Sequence, residues 1–371
     1  MEKRIAHVMD IPKDILEIKN VFTNNKFKLF VVGGAVRDSL LGLTPKDFDL
    51  ATDALPDDVE RIMREAGFST LPTGKAFGVI NVFTSMGEHE VATFRSDIGS
   101  DGRFPDSVEF TTIDKDVLRR DLTINALFFD IEAQEVVDLV GGLEDLKNAV
   151  IRTVGSAEDR FKEDKLRILR AIRFSARFGS DLDADIIQAI KKDNNLGSIS
   201  GERKRDEFLK GIQSAKSVSH FLGLLSEFDL FKFIFQDLQV TNEFLENKDE
   251  ILVMASLLKS NDTFDLEKKL NQSKFSSDEI KAIKFLVSLK TLSADTAVKL
   301  KRMQRFSGVS SEQIIWFTAG LNFKLALIAA FISFELTVNG EDLMRELNLS
   351  PGKELGDAIL KREEENFKKL L

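Results

Sequence analysis

Between residues 32 and 52 the chain carries two residue patterns that handle phosphate and metal in complementary ways. The first is Val32-Gly33-Gly34-Ala35-Val36-Arg37-Asp38, where paired glycines follow an apolar run and open a helix-forming stretch. Residues without Cβ let backbone N–H groups approach a phosphate at the positively polarised start of a helix, and Arg37 would reinforce that anion site. The second is Asp47-Phe48-Asp49. On a strand the side-chain period is two, so Asp47 and Asp49 point to one face, where two carboxylates repel unless a cation lies between them. Hard oxygen donors suit Mg²⁺, which combines one or two carboxylates with phosphate oxygens and water. The implied chemistry is phosphoryl or nucleotidyl transfer. Taken singly, a glycine turn and a solvated acidic loop are the plainer readings; close together, the two patterns favour a site. The glycines form neither a dinucleotide fingerprint nor a Walker loop.

The elements that must position these residues are legible around them. Residues 12–25 read as a polar helix, 28–32 as a buried strand running into the glycines, and a helix starts near Ala35. The runs 77–83 and 90–94 are β-rich and flanked by Gly, which predicts a small mixed sheet. After about Gly142 the β signal fades and apolar residues recur at helical spacing to the end. The fold class is therefore α+β, a sheet-containing N-terminal head followed by an all-α remainder. Pattern shifts place boundaries near 145 and 212.

Composition narrows the chemistry. The absence of cysteine excludes disulfides, thiolate metal sites and a cysteine nucleophile, and only His7, His89 and His220 remain for imidazole chemistry. The N-terminal residues lack a secretory signal and no apolar run could span a bilayer, so a cytoplasmic protein without a membrane partner is expected. A net charge of −9 argues against coating nucleic acid broadly. Basicity is instead concentrated between Arg160 and Arg177. Read as one helix, Arg160–Phe174 puts Phe161, Ile168, Leu169 and Ile172 on one side and Asp164, Arg167, Arg170 and Arg173 over the other. By itself that is a core-packed helix with an Asp164–Arg167 salt bridge worth a few tenths of a kcal/mol.

Taken as a set, Gly33-Gly34-Ala35-Val36-Arg37-Asp38 with Asp47-Phe48-Asp49-Leu50-Ala51-Thr52 resembles the head of the class II tRNA nucleotidyltransferases, members of the polymerase-β-like superfamily. Phe77-Gly78-Val79-Ile80, Glu90-Val91-Ala92-Thr93-Phe94-Arg95, Arg119-Arg120-Asp121-Leu122-Thr123-Ile124-Asn125-Ala126 and Arg160–Phe174 match its further motifs in order. Ser200–Glu207, Val338–Leu343 and Pro351-Gly352 extend the resemblance to nearly the whole chain. The resemblance implies a polymerase-β-like nucleotidyltransferase head over 1–145, a base-recognising neck over 146–212, and a helical body and tail over 213–371 that grips tRNA. It implies template-independent addition of CCA to the tRNA 3′ end from CTP and ATP, with no obligatory protein partner. Asp47 and Asp49 would hold two Mg²⁺ ions, Gly33, Gly34 and Arg37 would cradle the triphosphate, and Arg120 would contact nucleotide or join head to neck. Glu90 stands either as a third metal-facing carboxylate or as a solvated strand residue.

With these motifs in view, Asp164 and Arg167 acquire a sharper reading. A carboxylate accepts the exocyclic amine of cytosine or adenine while a guanidinium donates to the adjacent ring nitrogen, and uracil and guanine present the opposite pattern. The resemblance assigns these roles to Asp164 and Arg167, with Arg170 and Arg173 close to the nucleotide. Three alternatives remain. A bacterial poly(A) polymerase would carry an Arg-rich stretch where this chain has Phe77–Phe83. A partial enzyme that adds only CC or only A is the second, and a CC-adding one would lack the flexible loop before Arg119, which Arg95–Pro105 largely keeps although one residue short. An inactive RNA-binding scaffold would not need Asp47, Asp49, Asp164 and Arg167 intact.

Overall fold

The computed structural model describes residues 2–99, 106–321 and 323–371. The chain divides into two compact units, Met1–Ile199 and Ser200–Leu371. The first unit contains β1 (Lys3–Ala6), α1 (Lys13–Asn24), β2 (Leu29–Val32), α2 (Gly34–Leu40), β3 (Asp49–Thr52), α3 (Pro56–Glu65), β4 (Ser69–Gly74), β5 (Val79–Phe83), β6 (Glu88–Thr93), β7 (Arg95–Ile98) and β8 (Ser107–Phe110). It continues through α4 (Ile113–Asp116), β9 (Phe128–Asp130), β10 (Glu135–Asp138), α5 (Gly142–Lys147), β11 (Val150–Ile151), α6 (Ala157–Glu163), α7 (Leu166–Phe178), β12 (Asp181–Leu182) and α8 (Ala184–Lys192).

One mixed sheet organises this unit, with strand order β1-β10-β9-β2-β3-β6-β5-β4. Its central strands are apolar on both faces because both faces are covered. Along β3, Leu50 enters a core with Ile15, Ile18 and Phe22 of α1, Val36 of α2 and Ile62 and Met63 of α3. Ala51 enters the opposite core with Phe30, Phe94, Val117 and Phe128. Asp49, two positions before Ala51, belongs to that second side. Phe30, Phe94 and Phe128 meet there with centroids 5.7 to 6.3 Å apart, and burying each such ring stabilises by roughly 1.5–3 kcal/mol.

Four details depart from expectation. The strand expected from Phe77 starts at Val79, because Phe77 ends a 3₁₀ turn and Gly78 has φ +79°. Beyond Gly142 a short parallel pairing survives, with Val150 opposite Asp181 and Ile151 opposite Leu182. The stretch read as one helix over 160–174 is two, because Asp164 adopts φ −151°, ψ 108° between α6 and α7. The Arg95–Pro105 loop opens as β7, which pairs antiparallel with β8, and residues 100–105 lie outside the described residues.

The second unit is helical among the described residues, from α9 (Gly201–Ser214) to α19 (Lys353–Lys368). Gly211 lets α9 approach closely, since a Cβ there would sit 2.1 Å from the Phe221 ring. Phe208 and Phe235 meet edge to face at 5.1 Å in the same core. No helix among the described residues is long and apolar enough to cross a membrane.

A buried carboxylate ties α1 to the far hairpin of the sheet. Asp14, 3% exposed, accepts from Thr84 Oγ1 at 2.8 Å and meets His89 Nε2 at 2.6 Å. Burial works to raise its pKa, but the His89 and Thr84 hydrogen bonds outweigh it and hold the carboxyl below the ordinary aspartate value. An acid whose folded pKa is depressed contributes stability above its unfolded value and loses it as pH falls through the folded one. Asp14→Asn should therefore cost about 1–3 kcal/mol in urea unfolding near neutral pH. The difference from wild type should shrink once pH drops below about 4.

Candidate functional site

Sheet register creates the first part of the site. β2 and β3 pair antiparallel with Val32 opposite Asp49, so the carboxylate at the start of β3 stands beside the turn that leaves β2. Gly33 begins that turn with φ +72°, ψ −121°, where a side chain would be strained, and its N–H bonds to Leu127 O at 3.0 Å. α2 then starts at Gly34. Asp47 lies outside β3, in the irregular segment before it, so strand alternation does not set its direction. Its charge nevertheless reaches Asp49. Loss of solvent raises the Asp49 pKa, Arg120 opposes that rise, and Asp47 adds to it, although the residue keeps open surface. Two mutually repelling carboxylates form a donor set that a divalent cation would relieve.

Glu90 stands one residue before Val91, the β6 partner of Leu50 in the parallel pairing, as Asp49 stands one before Leu50. It is exposed, and no group of three or more His, Asp or Glu residues stands ready to hold a metal ion among the described residues.

Arg120 supplies the positive charge at this mouth. A Cβ on Gly33 would lie 4.0 Å from Arg120 Nη1, and the guanidinium sits 4.7 Å from the centroid of the buried Phe128 ring. Asp116, 1% exposed, holds Arg120 through Oδ2 at 3.0 Å and Arg119 through Oδ1 at 2.8 Å. Two consecutive arginines are thus locked by one carboxylate. Asp116 escaped the sequence reading, although its spacing to Arg119 and Arg120 is the i,i+3 and i,i+4 pattern of a helical turn.

Arg119 leads to the second part of the site. A cavity of about 730 Å³ is lined by Leu118, Arg119, Arg160, Glu163, Asp164 and Arg167, among others. Arg167 Nη1 binds Glu163 Oε2 at 2.6 Å and Nη2 donates to Arg119 O at 3.1 Å. Arg160 also binds Glu163 and donates to Leu118 O at 2.6 Å. Asp164 Oδ1 accepts the N–H of Leu166, the first residue of α7, at 2.9 Å in a local side-chain-to-backbone turn. The structure brings Asp164 and Arg167 to one cavity wall, with Glu163 rather than Asp164 holding Arg167 in the ion pair the cavity shows.

The other basic residues are committed elsewhere. Arg170 Nε binds Asp121 Oδ2 at 2.6 Å. Arg173 is 8% exposed and lies 4.3 Å from the Phe174 centroid, so it is buried rather than displayed on a polar face. Arg37 is 3% exposed, bonded to Asp38 Oδ1 at 2.6 Å and to Asn125 Oδ1, and burial lowers its pKa. Its guanidinium still flanks the turn, 3.5 Å from where a Gly34 Cβ would be.

Known proteins resemble this chain in sequence and fold. A family model described as "Poly A polymerase head domain" matches residues 29–152, and one described as "Probable RNA and SrmB- binding site of polymerase A" matches 181–241. Poly(A) polymerase I of Escherichia coli O6:H1 is 34% identical over 68% of this chain and 56% of its own length. The crystal structure of the Bacillus stearothermophilus CCA-adding enzyme in complex with CTP superposes with a TM-score of 0.68 at 27% identity, covering 95% of this chain and 91% of that one. The CCA-adding enzyme of Ligilactobacillus salivarius (strain UCC118) is 32% identical over 97% of this chain and 93% of its own. Identity of that degree along almost the full length of both sequences makes this chain a member of the CCA-adding enzyme family.

Proposed function

We propose that this protein builds or repairs the 3′-terminal CCA of tRNA, adding nucleotides from CTP and ATP without a template and releasing pyrophosphate. The observation that carries the reading is the register that sets Asp49 opposite Val32, beside the Gly33-Gly34 turn, with the Arg120 charge acting on both. Members of the family generally use divalent metal ions. Our assignment is Mg²⁺ held by Asp47 and Asp49, since the donor set is hard carboxylate oxygen. When bound, the ions make the tRNA 3′-hydroxyl a better nucleophile and offset charge on the leaving pyrophosphate.

The chain's own residues do the rest. The turn that Gly33 opens presents the Gly34 N–H, which with the Arg120 guanidinium receives the triphosphate. Asp164 and Arg167 select cytosine and adenine at the cavity wall, and Arg170, through Asp121, steadies α7 against the head. Arg37 positions the turn from behind. Residues 1–145 then perform transfer, 146–212 recognise the base, and 213–371 hold tRNA. A cytoplasmic site of action belongs to the same proposal, because the substrates are met there. Long A tails in the assay would favour a poly(A) polymerase, and a halt after CC or addition of A alone would mark a partial enzyme.

Asp49→Asn should lower CTP incorporation into tRNA lacking CCA by at least about a thousandfold, the loss of several kcal/mol of charge stabilisation. The same variant in EDTA should melt no lower than wild type, since a repelling charge is gone, and should lose the rise in melting temperature that Mg²⁺ gives wild type. Undiminished incorporation would exclude the assigned role. Arg167→Ala should reduce the kcat/KM preference for CTP over UTP by about 10²-fold, as expected when a site loses the donor that rejects a mismatched base. An unchanged preference would remove Arg167 from base selection.

A further inference from the structure

α2 carries the phosphate turn at its N-terminus, and α7 carries Arg167 near its own. What joins the two helices is a compact group of charges and rings around Arg37, the rest of which the chemistry above leaves unused. The Arg37 guanidinium lies 5.1 Å from the Phe174 centroid and 5.0 Å from that of Phe178, two rings stacked at 6.0 Å on one side of α7. Asp38 then bridges the helices through both oxygens. Oδ1 takes Arg37 Nε at 2.8 Å and Nη2 at 2.6 Å, while Oδ2 takes Arg177 Nη2 of α7 at 3.0 Å. Arg177 in turn sits 5.0 Å from the Phe178 centroid. Arg37 also binds the Asn125 side chain, which follows the Arg119–Asp121 segment.

We infer that Arg37, Asp38, Phe174, Phe178 and Arg177 form a latch that holds the base-selecting end of α7 at a set distance from the Gly33-Gly34 turn, so that a nucleotide must satisfy both ends together. The latch rests on the proposed function for the identity of the ligand it positions. Its geometry explains why Arg37 is buried beside a phosphate turn. A guanidinium pinned by a carboxylate, an amide and two ring faces acts through the helix it anchors. Arg177 and Phe178 are positioning residues, about three helical turns from Arg167 along α7. A displacement of about 1 Å at a reacting centre can cost 10²-fold, so a loosened latch is read as lost selectivity as well as lost rate.

The test uses the full chain, tRNA lacking CCA, and CTP and UTP measured separately. Arg177→Ala and Phe178→Leu should each reduce the CTP-to-UTP ratio of kcat/KM by about tenfold or more, while the Mg²⁺-dependent rise in melting temperature stays at the wild-type value. Arg177→Lys, which keeps a charge on Asp38 Oδ2, should recover most of the ratio. A folded Arg177→Ala protein with wild-type selectivity overturns the latch, and if that variant does not fold, Phe178→Leu decides in the same way. Wild-type protein that adds neither C nor A defeats the proposed function instead. The latch then stands or falls on hydrogen exchange, with faster amide exchange across 166–178 in Arg177→Ala supporting it and unchanged exchange refuting it.

Discussion

One buried carboxylate organises the candidate site. Asp116 is almost without solvent, a position that disfavours its charged form, yet Arg120 and Arg119 outweigh that cost and hold its pKa below the ordinary value. Because each oxygen takes a different arginine, Arg119 and Arg120 are turned apart, one toward the cavity that holds Asp164 and Arg167, the other toward Gly33 and Asp49. A carboxylate that bonds two guanidinium groups orients both, since each fork has a limited set of good geometries. Removing it would leave two arginines close together with no counter-charge between them, and the penalty of unpaired buried charge falls on both halves of the site.

Phenylalanine does much of the remaining work. The chain has 31 Phe and no Tyr, and among the described residues the rings against which arginines rest are all phenylalanine faces. At Phe128, Phe174 and Phe178 the guanidinium groups of Arg120, Arg173, Arg37 and Arg177 lie 4.3 to 5.1 Å from ring centroids. Such contacts contribute about 0.5–2 kcal/mol each, more where water is excluded. The ring face satisfies part of the charge while leaving N–H groups for directional bonds, so one arginine can be both packed and aimed. A phenolic hydroxyl at the same places would bring a further donor needing a partner.

The parts of this design differ in how visible they are before folding. Glycine pairs, a carboxylate two residues from another, and a strand of Leu29–Val32 leading into a turn are local facts, and β2 and α2 stand where local pattern puts them, whereas β3 starts only at Asp49 and leaves Asp47 outside the strand expected to hold both. The sheet's extent is not local. Its eight strands depend on β1 and β10 joining from opposite ends of the unit, which no short window contains. Helical periodicity failed at Asp164 because the average over 160–174 conceals a single residue whose side chain offers the backbone another partner. Arg173 was misplaced by the same averaging. Asp116 and Asp38 are acidic residues in charged surroundings, and only the fold shows that one sits at 1% exposure and that the other spans two helices.

The break at Asp164 keeps the two groups proposed to select the base from pairing with each other. In an unbroken helix, residues 164 and 167 would be three apart on one face and their opposite charges would close on each other. Instead the chain turns out of helical geometry at Asp164, its Oδ1 holds the N–H of Leu166, and Glu163 at the end of α6 takes the Arg167 guanidinium. The carboxylate is oriented by a backbone donor at the start of α7, where a negative charge is favoured by the helix dipole, and the guanidinium is oriented by a different acid and by the Arg119 carbonyl. Each member of the pair is thus held from behind by something other than its partner. Two groups so held can present an acceptor and a donor side by side to a third molecule, which a self-satisfied salt bridge cannot do.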